Sequence, residues 1–257
     1  MHTELVVSES TLLAFALVVS RILGIFVFIP MPVNEAGPSV ARIAIALAST
    51  IALYPRWPSI QAQGVGIGTL CIWLLAEIGL GTAIGLMVSF ISESITFGAR
   101  ILALQAGYGY ASVVDPTTQA DSDVLPVLAQ LTAGLLFFTT GLHRYIIAAF
   151  AASLDSFPPS SFTLSRHLAT TVIQLGSNVF VVGLRLASPV IALLLMVDIA
   201  MALLGRVSTQ LHLSHHAFSI KMLIALIALA TVFAVVPSLY ESFSSETFRQ
   251  IQATFGR

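Results

Sequence analysis

Long apolar runs, separated by short groups of proline, glycine and charged residues, fill most of this sequence. A hydrocarbon core of about 30 Å requires roughly 20 apolar residues in a helix, so each long run is a candidate membrane-spanning segment. Six runs qualify: residues 12–29, 40–53, 68–91, 127–150, 170–204 and 218–239. None of them alternates apolar and polar residues with the two-residue period of a strand. The pattern predicts an all-α, polytopic helical membrane protein with about six hydrophobic segments.

Three stretches depart from a simple series of straight spans. Segment 40–53 is short and contains Arg42. Segment 170–204 is too long for one span, and we expect Pro189 to kink or divide it, because proline removes a helical hydrogen bond. Residues 92–125 carry Glu93, Arg100, Asp115, Asp121 and Asp123, too many charges for a lipid-facing helix. We expect there a partly helical excursion and then a loop at Asp115-Pro116.

The composition supports the membrane class and excludes other classes. The chain has 257 residues, of which 57% are hydrophobic and 9% charged, against roughly 25% charged in soluble domains. A net charge of −1 gives no basic patch for nucleic acid. The first ten residues lack the basic region of a signal peptide, so we expect the first helix to be retained. Arginine and lysine show no useful bias between loops, and the positive-inside rule does not orient the chain.

Ionisable residues inside the apolar runs are the strongest candidates for a functional role. Glu77 and Asp198 have only apolar or glycine neighbours three and four positions away. Arg206 lies about 80° and Arg185 about 220° around the helix from Asp198, so neither stacks on it. A partner from another segment or subunit is therefore the leading interpretation for Asp198, and a proton-relay carboxylate is the alternative. For Glu77 the alternatives are a protonated state and a partner from another helix.

Glycine spacing in the third segment offers a packing site. Gly81 and Gly85 form a G-x-x-x-G pattern that allows another helix to approach closely. The alternative is the ordinary glycine enrichment of membrane helices.

Other motifs give little support for catalysis, a cofactor or a metal. His212, His215 and His216 have a spacing that could place two imidazoles on one helical face, but no glutamate lies nearby, and a polar turn is favoured. Gly107-Tyr108-Gly109 lacks the third glycine and the preceding strand of a dinucleotide loop. No nucleophile–base pair or phosphate-binding loop is evident. We predict a protein that is not an enzyme and binds no cofactor.

Four stretches in this order resemble the FliR family of flagellar type III export-apparatus membrane proteins. They are RILGIFVFIP, GARILALQAGYGYASVVDP, LLFFTTGLHRYIIAAF and GLRLASPVIALLLMVDIAMALLGRVSTQL. The resemblance covers residues 12–239, and the forms GYGYASVVDP and GLHR are more flagellar than those of virulence injectisomes. The family's motif after the fifth segment is altered here. Arg206, Gln210, Phe218 and Lys221 are kept, while other residues replace its Pro, Asn, Phe, Gly and Pro: Thr209, His212, Ser214, Ala217 and Ser219.

The resemblance implies a fold, partners and a place in the cell. Residues 1–165, with the loop 92–126, would be FliP-like, and residues 166–257 would be a FliQ-like helical pair, within one FliR-type domain. The chain would join FliP-like and FliQ-like subunits, together with other export-apparatus and basal-body proteins. This gate in the bacterial inner membrane would pass unfolded flagellar proteins, and the ATPase would belong to other subunits.

The resemblance also assigns candidate residues. A loop at residues 107–119 would plug the closed pore, with Gly107, Tyr108, Gly109, Tyr110, Asp115 and Pro116 as its candidate residues. The candidate assembly and packing residues are Arg185, Pro189, Asp198, Arg206, Gln210, Lys221, Glu77, Gly81 and Gly85. An injectisome export subunit is the first alternative. A small-molecule transporter, which would need a midplane site and an internal repeat, is less favoured.

Overall fold

The computed structural model describes residues 8–29, 39–60, 65–108, 124–159, 166–207 and 214–255. These residues form seven α-helices and one 3₁₀ turn, and no strand occurs among them. The all-α prediction is therefore confirmed. In chain order the helices are α1 (Glu9–Phe28), α2 (Ser39–Ala52), α3 (Ile67–Ala106), α4 (Val124–Thr139), α5 (Leu142–Ser156), α6 (Arg166–Val207) and α7 (Ser214–Phe255), with the 3₁₀ turn at Tyr54–Arg56.

The third helix is longer than the sequence pattern predicts. Helix α3 continues without a break past Ile91 to Ala106, so the partly helical excursion expected after residue 91 begins as a continuation of the same helix. The loop expected at Asp115-Pro116 lies outside the described residues. Its polar residues are accommodated within the helix: the Ser94 hydroxyl donates to the Ile91 carbonyl at 2.7 Å and the Thr96 hydroxyl to the Ser92 carbonyl at 3.1 Å. The charged Glu93 and Arg100 are exposed. The charged residues after Ile91 argue against a helix surrounded by lipid on all sides, but they are compatible with a helix.

The fourth predicted segment is two helices. Residues 127–150 were expected to form one span, whereas α4 and α5 meet at a bend of 67°. Gly141 lies at the joint with φ of 74°, a left-handed conformation that glycine adopts without a steric penalty. The apolar composition continues across the joint, so hydrophobicity alone did not reveal it.

Pro189 does not divide the fifth segment, contrary to one of the two expectations for it. Helix α6 runs through Pro189 from Arg166 to Val207. Proline cannot donate to the carbonyl four residues earlier, which here belongs to Arg185. The Ser188 hydroxyl donates to that carbonyl instead, at 3.1 Å. A neighbouring serine thus satisfies the group that Pro189 leaves open, and the helix continues.

Four described helices are long and apolar enough to cross a membrane, in agreement with a polytopic membrane protein. They lie in α1, α3, α6 and α7, and α4 with α5 would make a fifth if the bent pair is one span. Helix α2 has only 14 residues, about 21 Å of helix, and does not reach across a hydrocarbon core.

The chain forms two compact units that interleave along the sequence. The first contains residues 1–90, 137–175 and 244–257, and the second contains residues 91–136 and 176–243. The core of the first is built from buried apolar residues that include Leu17, Ile25, Ile84, Phe150 and Ile251. The core of the second includes Ile91, Leu102, Leu186, Leu194 and Tyr240. The candidate sites are described within each unit in turn.

Candidate assembly and packing sites

Helices α1 and α3 of the first unit cross at a contact made by glycines. A Cβ atom added at Gly81 would overlap the backbone carbonyl of Arg21, and one at Gly85 would lie 2.6 Å from the carbonyl oxygen of Ile25. On the other helix, a Cβ at Gly24 would lie 2.6 Å from the carbonyl oxygen of Ile78. The two backbones therefore touch with no room for a side chain. Gly81 and Gly85, singled out by their spacing, lie at this contact.

A buried ion pair lies at the same crossing. Arg21 donates from Nε to Glu77 Oε2 at 2.5 Å, and the two side chains are 0% and 1% exposed. The guanidinium also donates to the carbonyl oxygens of Ser153 and Phe157, each at 2.8 Å. One arginine thus joins α1, α3 and the C-terminal end of α5. Glu77 has a charged partner from another helix, which is one of the two alternatives that the sequence left open.

A second, exposed ion pair lies at the same end of α5. Arg56 Nη1 donates to Asp155 Oδ2 at 2.8 Å, with the two side chains 50% and 60% exposed. The turn that carries Arg56 is fixed by Trp57, whose indole N–H donates to the Thr50 carbonyl at 3.0 Å. The C-terminal end of α5 is therefore held by two arginines from two different elements.

In the second unit, Asp198 and Lys221 join α6 to α7. Lys221 Nζ lies 2.9 Å from Asp198 Oδ2, and the side chains are 19% and 45% exposed respectively. Asp198 therefore has a partner from another segment of its own chain, while almost half of its side chain stays accessible. Lys221, which the family resemblance singled out, supplies the cation.

The remaining candidates on α6 are exposed. Arg185, Pro189 and Arg206 lie at its surface, and neither arginine makes an ion pair within the part of the chain that the structure describes. Both lie in a helix whose most apolar window has a mean hydropathy of 2.3. Gln210 lies outside the described residues.

Only part of the predicted plug loop is described. Gly107 ends α3 with φ of 86°; its N–H donates to the Leu104 carbonyl at 3.1 Å, and the Tyr108 N–H donates to the Ala103 carbonyl at 3.0 Å. This pair of bonds is the Schellman arrangement of a helix end, and it assigns Gly107 a helix-terminating role. Gly109, Tyr110, Asp115 and Pro116 lie outside the described residues.

Only part of the histidine cluster lies within the described residues. His212 lies outside the described residues, and His215 and His216 belong to the first turn of α7. Across the described ranges, no group of three or more His, Cys, Asp or Glu side chains could hold a metal ion.

Three features of these sites are not among the residues predicted from the sequence. Arg21 was not a candidate, although a lone arginine in an apolar run is as informative as the carboxylate that pairs with it. Ser153 and Phe157 act through backbone carbonyls, for which side-chain identity gives no signal. Gly98 and Gly183 form a second close helix contact, in which a Cβ at Gly98 would lie 2.9 Å from the Gly183 carbonyl oxygen. These two glycines belong to different segments and share no spacing motif.

The fold and the sites together define a class: a polytopic helical membrane protein with polar groups between its helices and charged groups left on apolar helix surfaces. Comparisons with known proteins identify the family. The sequence profile of the bacterial export proteins, family 1, matches residues 12–247. The chain belongs to this family, that of the flagellar biosynthetic protein FliR, and is a subunit of the type III protein export apparatus for flagellar export.

Individual relatives agree with this assignment. The flagellar biosynthetic protein FliR of Escherichia coli strain K12 is 26% identical over 89% of this chain and 87% of its own length. The FliR protein of Bacillus subtilis strain 168 is 23% identical over 95% of this chain and 96% of its own. The Yop proteins translocation protein T of Yersinia pestis is 24% identical over 84% of each. The likeness therefore extends over nearly the whole chain.

Proposed function

We propose that this chain is a non-catalytic subunit of the flagellar export gate, and that it helps to form and close the channel through which unfolded flagellar proteins are secreted. It works in the bacterial inner membrane beside FliP-like and FliQ-like subunits. The observation that carries the proposal is the surface of α6 and α7, which combines a strongly apolar composition with accessible charged groups.

The apolar surfaces of these helices are large. Only 22% of the most apolar window of α6 and 18% of that of α7 are buried within the chain, against 44% for α1 and 50% for α3. Leu195, Met196, Ile199 and Leu203 of α6 are among the exposed residues. Surfaces of this composition need a cover of lipid or protein.

The charged groups favour protein as the cover. An ionised side chain in the middle of a lipid bilayer costs about 2.5–3.5 kcal/mol on insertion scales. Arg185 and Arg206 are exposed on α6 without an ion pair in the described part of the chain. Neighbouring subunits of the export gate would supply both the apolar cover and the acceptors, and a carboxylate is the group that best matches Arg185.

Co-purification tests the proposal directly. The full chain, extracted in mild detergent, is expected to bring down the FliP-like and FliQ-like subunits. Arg185→Gln should reduce their recovery because it removes the unpaired charge. Arg249→Gln is the matched control, since Arg249 is 75% exposed and already pairs with Glu246 at 3.3 Å. Recovery of the native chain as a stable monomer, or equal losses in both variants, would contradict the proposal.

Closure of the channel is assigned to residues 107–119. The support is the resemblance of this stretch to the family's plug and the helix-terminating Gly107, which directs the chain out of α3. Deleting residues 110–117 should make the membrane leaky to small solutes, and the measurement is solute influx in cells that assemble the gate. Unchanged influx, with the gate complex recovered in normal amount, would refute the plug role.

The division of the chain into a FliP-like part at residues 1–165 and a FliQ-like pair at residues 166–257 also belongs to the proposal.

An injectisome role is the second candidate, because the Yersinia translocation protein is among the relatives. Deletion of the gene separates the two: loss of filaments and swimming supports the flagellar role. Normal swimming with lost secretion of virulence proteins would support the injectisome role.

A further inference from the structure

We infer that Arg21 is the positioning residue for the C-terminal end of α5, and that Glu77 serves it as a buried counter-ion. The inference concerns the first unit alone and does not depend on the proposed channel role. It rests on how the hydrogen bonds of the guanidinium are distributed.

Most of the donors of Arg21 are directed at α5. Nη1 donates to the Ser153 carbonyl at 2.8 Å and contacts the Ser153 hydroxyl at 3.3 Å, and Nη2 donates to the Phe157 carbonyl at 2.8 Å. Only Nε is directed at Glu77. The Ser153 carbonyl also accepts the Phe157 backbone N–H at 3.0 Å. Carbonyls at the C-terminal end of a helix carry a partial negative charge, so a cation binds there favourably.

The carboxylate of Glu77 is used incompletely. When an arginine binds only a carboxylate, the two groups commonly form two parallel hydrogen bonds. Here only Oε2 accepts from Arg21, whereas the buried Oε1 makes no hydrogen bond within the described residues. The guanidinium therefore binds the α5 carbonyls with most of its donors, and one oxygen of Glu77 is left without a hydrogen bond. A negative charge is still needed, since an uncompensated guanidinium would be costly to bury.

The backbone of Arg21 is itself fixed by α3. The Arg21 carbonyl lies against Gly81, where no Cβ atom would fit. The contact with α3 therefore fixes the position of the Arg21 backbone. The Arg21 side chain, through its hydrogen bonds, then fixes the end of α5 relative to that position. The end of α5 leads through Pro158 and Pro159 to the connection with α6, so the same joint fixes where that connection begins.

A thiol cross-link reports on the end of α5. Arg56 and Asp155 lie in contact there on two elements, so the substitutions Arg56→Cys and Asp155→Cys, made in a Cys71→Ser background, place one thiol on each. A short bismaleimide added to membranes containing the assembled complex should join the two thiols. The cross-linked fraction is expressed relative to the amount of chain in the membrane, which corrects for variants that accumulate poorly.

Two variants of the joint separate a positioning role from simple charge pairing. The double substitution Arg21→Met with Glu77→Leu removes both buried charges, and buried ion pairs are often replaced by apolar residues without loss of stability. If Arg21 positions α5, the cross-linked fraction in the double variant falls about fivefold or more. Glu77→Gln removes the counter-ion, so less chain should accumulate in the membrane. It retains an acceptor for Nε and leaves the bonds from Arg21 to α5 in place, so the cross-linked fraction of the chain that does accumulate stays within about twofold of the parent.

The opposite result overturns the inference. Parental cross-linking in the double variant would mean that apolar packing alone places α5. A cross-linked fraction in Glu77→Gln that falls as far as in the double variant would mean that the charge pair, not the contact with α5, places the end of that helix. Arg21→Lys is a third variant, which keeps the positive charge but loses the planar guanidinium. Its cross-linked fraction should lie between those of the double variant and the parent.

Discussion

Two ion pairs of the same chemistry, one in each unit, lie in different surroundings. Arg21 and Glu77 are enclosed by α1, α3 and α5, whereas Lys221 and Asp198 lie on α6 and α7 with the carboxylate 45% exposed. The first unit thus pairs its buried arginine and its buried carboxylate with each other inside the chain. The second unit leaves half of a carboxylate and two arginines accessible on apolar helices. The difference separates residues that make the chain fold from residues that a partner subunit can reach.

The largest effect is expected at the glycine contact that supports the enclosed pair. Gly81→Val should abolish accumulation of the chain, because its Cβ would overlap the Arg21 backbone and neither helix can yield cheaply. The measurement is the amount of chain in membrane fractions. Gly79→Val is the matched control two residues earlier, where an added Cβ meets nothing within 4 Å. Similar losses in the two variants would show that the close contact is not the cause.

Loss of the enclosed carboxylate should come next. Glu77→Ala leaves a buried guanidinium without its counter-ion, and breaking a buried pair from one side costs about 3–5 kcal/mol. Thermal unfolding of the purified complex in detergent measures the loss. Asp198→Ala, at the exposed pair, should lower the free energy of unfolding of the chain by only about 1 kcal/mol or less. Equal losses of stability in Glu77→Ala and Asp198→Ala would contradict the claim that only the enclosed pair stabilises the fold.

The exposed pair should instead matter for assembly. Asp198→Leu is expected to leave the chain in the membrane at its normal level but to reduce recovery of the other gate subunits, because the 45% exposed side chain can be reached by a partner. Asp155→Leu is the control, because it removes a carboxylate that is also exposed and paired but belongs to the first unit. Normal recovery of the complex with Asp198→Leu would indicate that this carboxylate serves only the α6–α7 contact.

A smaller effect is expected at the end of α3. Gly107→Ala forces an L side chain into a left-handed conformation, at about 1 kcal/mol. Thermal unfolding should show a modest decrease, and the parent chain is the reference. Gly68→Ala, at a helical glycine with open space around it, should be neutral or slightly stabilising.

The smallest effect is expected for Arg56→Ala. The Arg56–Asp155 pair is at least half exposed on both sides, and such pairs contribute about 0–1 kcal/mol. Thermal unfolding should barely change, in contrast to Arg21→Met at the same end of α5. A large loss in Arg56→Ala would mean that the exposed arginine, and not the buried one, holds that end.

Much of the fold could be predicted because apolar composition is strong and local. Helices α1, α3, α6 and α7 overlap four predicted segments, and only their ends differ. The errors fall where a single side chain or dihedral decides: Gly141 bends an apolar run that looks continuous, and Ser188 satisfies the carbonyl that Pro189 leaves open. Hydrophobicity averaged over a window does not register either event.

The candidate residues show the same limit. The isolation of Glu77 and Asp198 on their own helices could be read from spacing, and so could the need for a partner from elsewhere. Their partners, Arg21 and Lys221, lie 56 and 23 residues away, and no spacing rule connects them. Long-range pairing depends on which helices pack together, and apolar helices give few local signals about their neighbours.

The sequence by itself determined the membrane class, the helical fold, the family and the need for buried charges to find partners, because each of these follows from composition or from neighbours along one helix. Only the tertiary structure decided that one pair is enclosed and the other accessible. Burial depends on how many helices surround a site, and that number follows from packing between segments distant in the chain. Close backbone contacts at Gly81 and Gly98, and the distribution of the Arg21 donors, arise from that packing as well.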